Sequence, residues 1–141
     1  MITEDYVSFE TAKLLKEKGF DCCCKVWYSE YTSPYGAEKY ISIEFDSHNK
    51  FNENYEFICP APTLQMAMKW LREVHKLGVF PTTYYREINR NAKHDYGSTI
   101  VMLDTYEVIG NDKNIEDYTF EAETYEETAE KAIMYCLKNL I

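Results

Sequence analysis

The order of local sequence patterns along the chain constrains the fold more than any other feature. Three segments carry apolar residues at helical spacing, and the runs between them alternate apolar or aromatic residues with polar ones. The resulting order is helix, hairpin, helix, meander, helix, with short turns in the hairpins. Because helices and strands do not strictly alternate, we predict an α+β fold in which three helices pack on one face of an antiparallel sheet of about four to five strands.

The helical segments contain signals for where each helix begins and ends. Ser8, Thr63 and Thr124 are predicted to cap the three helices, because their hydroxyls can accept from the free amides of a first turn. Gly19 and Gly78 are predicted to end the first two helices, since glycine tolerates the left-handed backbone conformation. The second helix has a predicted buried stripe, with Trp70 at its edge, that comprises Leu64, Ala67, Met68, Leu71 and Val74.

Alternating and β-branched runs predict the strands. The first two, CKVWYSEY and KYISIEFD, form a hairpin around Pro34 and Gly36. In the second strand Ile41, Ile43 and Phe45 share one face, and the polar face is predicted to be wet. The remaining strands are predicted in VFPTTYYREINR, STIVMLDTYEVIG and DYTFEAE, with a loop around NAKHDYG.

The length of the chain favours a single domain. At 141 residues, positions 1–141 are predicted to form one α+β domain that needs neither metal nor disulfide to fold. The segments AKLLKEKGF and MKWLREVHKLGV resemble each other, and strands follow each of them. A duplicated helix–hairpin unit is therefore an alternative interpretation.

The net charge of −9 excludes several classes of partner. Nucleic acid and anionic lipid both require a cationic surface, so neither is expected to bind. The charge is uneven, with ten acids and one base in 104–130 but six bases and three acids in 61–100. Attraction between these regions of two copies predicts a weak homodimer favoured at low salt.

The sequence lacks a signal-peptide pattern and an apolar run of membrane-spanning length, so we expect a cytoplasmic protein.

The most conspicuous candidate for chemistry is the triplet Cys22–Cys24. Consecutive side chains of an extended segment point to alternate faces, and the chain contains no CxxC spacing, so a zinc site is not expected. The triplet follows a helix end, where the partial negative charge disfavours a thiolate. We interpret these cysteines as small structural side chains and predict no metal and no cofactor. A modified or redox-active cysteine is the alternative.

The histidines do not form a recognisable catalytic pattern. His48 lies in a polar loop, and His75 lies near the end of the second helix. His94, Asp95 and Ser98 lie close together in HDYGS, but these residues are typical of a turn. We therefore predict no catalytic residues, and an enzymatic activity is less expected than a binding role.

Three stretches carry a family resemblance: MITEDYVSFETAKLLKEKGF, PAPTLQMAMKWLREVHKL and TYEETAEKAIMYCLKNLI. Together they resemble a family of small uncharacterised proteins of gut anaerobes, often carried on phages and mobile elements. The resemblance covers the three helices, about a third of the chain. It implies a short cytoplasmic accessory protein of phage or mobile-element origin, in which the helices are the scaffold and the strands form a variable recognition surface.

The leading functional hypothesis is a non-enzymatic interaction protein. Tyrosine and tryptophan combine a large apolar ring with a polar tip, which suits a contact surface on an open sheet face. One alternative is a small-molecule-binding or hydrolytic protein with a pocket between the sheet and the second helix, and another is an acidic nucleic-acid mimic. The candidate interaction surface, for a protein partner or a second copy, consists of Trp27, Tyr28, Tyr40, Trp70, Tyr84, Tyr85 and Tyr106.

Overall fold

The computed structural model describes residues 4–21, 24–36, 38–45, 54–88, 91–109 and 120–141. Within these ranges the chain forms three α-helices and six β-strands. In chain order they are α1 (Phe9–Glu17), β1 (Val26–Thr32), β2 (Lys39–Phe45), β3 (Tyr55–Pro60), α2 (Leu64–His75), β4 (Leu77–Ile88), β5 (Asn91–Met102), β6 (Glu107–Ile109) and α3 (Tyr125–Asn139).

The strands form two antiparallel sheets, with the strand orders β2-β1-β3 and β4-β5-β6. The predicted α+β class is confirmed, but the prediction of one sheet with all three helices on one face is wrong. α1 packs against the first sheet, whereas α2 and α3 pack against the second. The reason is that each strand pairs with strands close to it in sequence, so no pairing crosses α2.

The chain divides into two compact units, Met1–Thr63 and Leu64–Ile141. The single-domain interpretation of residues 1–141 stays a prediction. Each unit contains a helix followed by three strands, as a duplication would. The strand orders differ, however, because the first strand is central in the first unit and the second strand is central in the second. None of the helices in the described ranges is both long and apolar enough to cross a membrane.

α1 begins and ends at the residues that the sequence indicates. Ser8 Oγ accepts a hydrogen bond from the Thr11 amide at 3.3 Å, which confirms the predicted cap. Gly19 has a φ of +92°, the left-handed conformation that glycine adopts without strain. Phe20 is buried behind it, and its amide donates to the Leu15 carbonyl at 2.9 Å. The chain is thereby turned from α1 towards β1.

The buried stripe of α2 is rotated relative to its prediction. Leu71 is fully buried, as predicted. Trp70, predicted at the edge of the stripe, is also buried, whereas Val74 is 58% exposed. The helix therefore turns its Trp70 side towards the core in its last two turns.

α2 also ends earlier than predicted and continues almost directly into β4. Lys76 has a φ of +57°, in the left-handed region, and directly follows the last helical residue, two residues before the predicted end at Gly78. Gly78 lies inside β4, where a Cβ atom would approach the Phe80 ring to 2.6 Å and the Leu103 side chain to 3.1 Å. The glycine thus leaves room for an aromatic ring that lies over the strand.

α3 is joined to the second sheet by a buried hydroxyl network. Thr124 Oγ1 accepts from the Glu127 amide at 3.2 Å, which confirms the predicted cap. One turn later, Thr128 Oγ1 donates to the Phe120 carbonyl at 2.5 Å and bonds to Ser98 Oγ at 2.9 Å. The Thr128 side chain therefore links α3 to β5 and to the segment that precedes α3.

Several strand predictions need correction. The segment YEFICP, which we did not predict as a strand, forms β3. The predicted loop around NAKHDYG is the first half of β5, because the backbone ladder with β4 continues through polar residues to the pair Ile88–Asn91. The run STIVMLDTYEVIG breaks at a turn into the end of β5 and β6. The predicted strand DYTFEAE lies partly outside the described residues, and Ala122 forms only an isolated bridge with Tyr96.

β2 begins at Lys39 as predicted and includes the whole predicted segment except Asp46, which lies outside the described residues, but its apolar face is less buried than expected. β2 pairs with β1 along its whole length, from Val26–Phe45 to Thr32–Lys39. Ile41 and Ile43, however, are 44% and 40% exposed. They lie on the α1 side of the sheet, but α1 packs mainly against β3, at the opposite edge, so β2 lies at the limit of the cover that the helix provides.

Candidate functional site

Two of the seven residues of the predicted interaction surface belong to the interior. Tyr28 is buried, its hydroxyl donates to the Val7 carbonyl at 2.6 Å, and its ring lies 5.3 Å from that of Phe9. Trp70 is buried, and its ring meets the His75 ring edge-on at 4.5 Å. For Tyr28 the reason is the alternation of a strand: Trp27 and Tyr28 are neighbours, so they cannot point to the same face.

The second unit contains three more of the predicted residues. Tyr106 is 81% exposed and has a φ of +58°, in the turn between β5 and β6. Tyr84 and Tyr85 lie in β4, but their side chains are outside the described part of the structure. Within the described residues, Tyr84, Tyr85 and Tyr106 therefore do not form a common surface.

Trp27 and Tyr40 lie on one face of the first sheet, together with three aromatic residues that we did not predict. The register pairs Tyr31 with Tyr40 on one side and with Tyr55 on the other. The Tyr31 and Tyr55 rings lie 4.9 Å apart, and the Trp27 and Phe57 rings meet edge-on at 5.9 Å. We call this set the aromatic face: Trp27, Tyr31, Tyr40, Tyr55 and Phe57.

α1 covers the opposite face of the same sheet. Tyr28 pairs with Cys59, and both are buried on the α1 side. Lys16 of α1 donates to the Ile58 carbonyl at 2.6 Å. Burial raises the pKa of the Cys59 thiol, and the charges of Lys16 and Lys13 offset this only in part. The aromatic face therefore looks away from the only helix of the first unit in the described residues.

A serine lies at the centre of the aromatic face. Ser29 pairs with Ser42 on β2 and with Phe57 on β3, between the two aromatic ring pairs. It is fully buried, and its Oγ has no hydrogen-bond partner among the described residues. A buried hydroxyl without a partner is uncommon in folded proteins, because its desolvation is not compensated. The rings thus enclose a polar atom whose hydrogen-bonding capacity is not used by the described residues.

The rim of the face carries a few polar groups. Ser42 Oγ donates to the Glu44 carboxylate at 3.1 Å. The Tyr40 hydroxyl donates to the Glu38 carboxylate, and this hydrogen bond raises the pKa of Tyr40. Tyr40 is 52% exposed, while the other four rings are half-buried. The surface thus offers apolar ring area with hydroxyls and carboxylates at its edge, a composition suited to binding.

The candidate chemical groups that the structure describes do not converge on a reactive centre. In the described ranges, no three His, Cys, Asp or Glu side chains are grouped so that they could hold a metal ion. Cys22, Cys23 and His48 lie outside these ranges, and so do the side chains of His94 and Asp95. Within them Cys24 is half-buried, and its carbonyl accepts from Trp27 Nε1 at 3.2 Å. Ser98, from the HDYGS segment, is buried in the Thr128 network rather than exposed in a turn.

Comparison with known proteins adds no relatives. No protein-family model matches the chain, and neither the curated proteins nor the solved structures gave a match. The resemblance to proteins of gut anaerobes therefore stays an expectation.

Proposed function

We propose that the protein is a non-enzymatic interaction protein that binds a protein partner through the aromatic face. The observation that carries this proposal is the cluster of five aromatic side chains on the side of the first sheet that α1 does not cover. Tyrosine and tryptophan are enriched at the centres of protein interfaces, since they bury a large area and lose little conformational freedom.

The arrangement of the rings supports binding without a large rearrangement. Trp27 is held against Phe57, and Tyr31 against Tyr55, so four of the five rings are already ordered by neighbours. Tyr40 completes the face at its β2 side and is the most exposed of the five. Pre-ordered rings reduce the entropy that binding would otherwise cost.

A cytoplasmic accessory role, and an origin in a phage or mobile element, are proposed on the resemblance of the three helices alone. The small-molecule-binding or hydrolytic alternative and the nucleic-acid mimic stay predictions.

The test is co-purification from the native host with matched tyrosine variants. Tyr40→Ala removes the most exposed ring of the face, and Tyr35→Ala removes a ring that is 97% exposed in the same unit but lies in the β1–β2 turn. A partner retained by the wild type and by Tyr35→Ala, but bound about fivefold or more weakly by Tyr40→Ala, would support the proposal. Equal binding by all three proteins would contradict it.

A further inference from the structure

The two sheets have four outer strands, and three of them carry a feature that hinders pairing with a further strand. The register between β3 and β1 shifts by one residue, and β3 ends at Pro60. β4 contains Pro81, which has no amide hydrogen to donate. β6 is only 3 residues long. Natural proteins use such features to prevent association at sheet edges.

β2 lacks these features. It is 7 residues long and contains neither proline nor glycine, and its pairing with β1 is regular throughout. Among the described residues no strand pairs with its outer side. Ile41 and Ile43 are exposed beside this edge, and the two charged residues of the strand, Lys39 and Glu44, lie nearer its ends.

We propose that β2 pairs antiparallel with β2 of a second copy of the chain, in the register centred on Ser42. This register alone pairs all seven residues of the strand. It sets Ile41 against the partner subunit's Ile43, and by symmetry the same pair forms twice. On the other face it sets Tyr40 against the partner subunit's Glu44, two side chains that do not repel each other.

A second copy suits this edge because the strand is complementary to itself. Lys39 and Glu44 leave β2 without net charge, so the two strands do not repel each other locally. The whole chains do repel, because each carries a net charge of −9. Salt screens that repulsion, so the association should not weaken as the salt concentration rises. By contrast, the homodimer that the charge asymmetry of the sequence predicts should weaken as the salt concentration rises, so the two dimers can be told apart.

The dimer extends the proposed recognition surface. A two-fold axis perpendicular to the sheet joins the two three-stranded sheets into one of six strands, with both aromatic faces on the same side. The inference goes beyond the proposed function, since it concerns the association of two copies through the edge of β2 and not the binding of a protein partner through the rings. Either of the two can fail while the other holds.

The register gives a test by paired charges. In I41K/I43K, each introduced lysine lies opposite a lysine of the other copy, so the dimer should weaken about tenfold or more. In I41K/I43E, each lysine lies opposite a glutamate, so the dimer should persist and should weaken with salt. Val108→Lys alters an apolar residue of similar exposure in the second unit and should leave the dimer unchanged.

Sedimentation equilibrium over a concentration series at two salt concentrations measures these effects, with circular dichroism as the check on folding. Hydrogen exchange of the wild type gives a second readout, since the amides of β2 should become more protected as concentration rises. A wild type that is monomeric throughout, or equal weakening of the two double variants, would overturn the proposal. A wild-type dimer that dissociates on adding salt would overturn it as well.

Discussion

Replacing Thr128 by valine should destabilise the second unit through the loss of two buried hydrogen bonds. Thr128 Oγ1 has a single hydrogen, which it donates to the Phe120 carbonyl. The bond to Ser98 must therefore be donated by Ser98. Thr128 is fully buried and Ser98 is 3% exposed, so neither group can turn to bulk water. Valine has nearly the shape of threonine, so the substitution removes the hydroxyl without opening a large cavity.

The magnitude follows from the groups that are left unpaired. A buried donor or acceptor without a partner costs about 1–3 kcal/mol, and the substitution leaves the Ser98 hydroxyl and the Phe120 carbonyl in that state. Because Phe120 is only half-buried, we expect Thr128→Val to lower the free energy of unfolding by about 2–4 kcal/mol in total. Ser98→Ala leaves the bond from Thr128 to Phe120 intact and should cost about 1 kcal/mol.

Denaturant unfolding of the two single variants and the double variant tests this reasoning. The double variant has no orphaned serine, so its cost should be smaller than the sum of the single costs by about 1 kcal/mol. Thr32→Val is the control, because Thr32 is exposed, and it should change the free energy of unfolding by less than about 0.5 kcal/mol. An effect of Thr128→Val no larger than that of the control, or strict additivity in the cycle, would refute it.

Three further predictions concern the core and the thiols. Leu71→Ala should lower the free energy of unfolding by about 2–5 kcal/mol in denaturant melts, whereas Val74→Ala, at an exposed position of the same helix, should change it by less than about 0.5 kcal/mol. Burial raises the pKa of Cys136 to about 12, so the thiol ionises first in the unfolded chain, and stability should fall above pH 9.0 by up to about 1.4 kcal/mol per pH unit. Cys136→Ala should lack this part of the pH dependence, and identical pH slopes would show that the thiol is not responsible. Protein purified without chelator should contain no stoichiometric zinc by elemental analysis, and a zinc ion lost from a triple serine variant of Cys22–Cys24 would contradict that.

Features that depend on a few adjacent residues could be predicted from the sequence. The caps at Ser8 and Thr124 and the left-handed Gly19 were predicted because capping involves hydrogen bonds and backbone angles within one turn. Strand pairing could not be predicted in this way, because it joins segments that are distant in sequence. The pattern of YEFICP does not indicate that it lies beside β1, and neither does the one-residue shift in its register.

The same distinction applies to the candidate site. Strict alternation along β1 separates Trp27 from Tyr28 and would have added Tyr31 to the predicted surface. Tyr55 and Phe57 join that surface only through the pairing of β3 with β1. The exposure of the β2 isoleucines likewise depends on where α1 packs across the sheet, which is a tertiary property without a local signal.

The strand order of the first sheet has a consequence for synthesis of the chain. β1 is the central strand, yet it precedes both of its neighbours in sequence. β2 follows after a short turn, but β3 is complete only about 30 residues after the end of β1, which at ribosomal rates corresponds to roughly 1.5–6 s. During that interval the edge of β1 that later pairs with β3 remains unpaired, and the Trp27 and Tyr31 rings lack their neighbours Phe57 and Tyr55. The nascent first unit is thus most exposed to mispairing and to chaperone binding before its last strand leaves the ribosome.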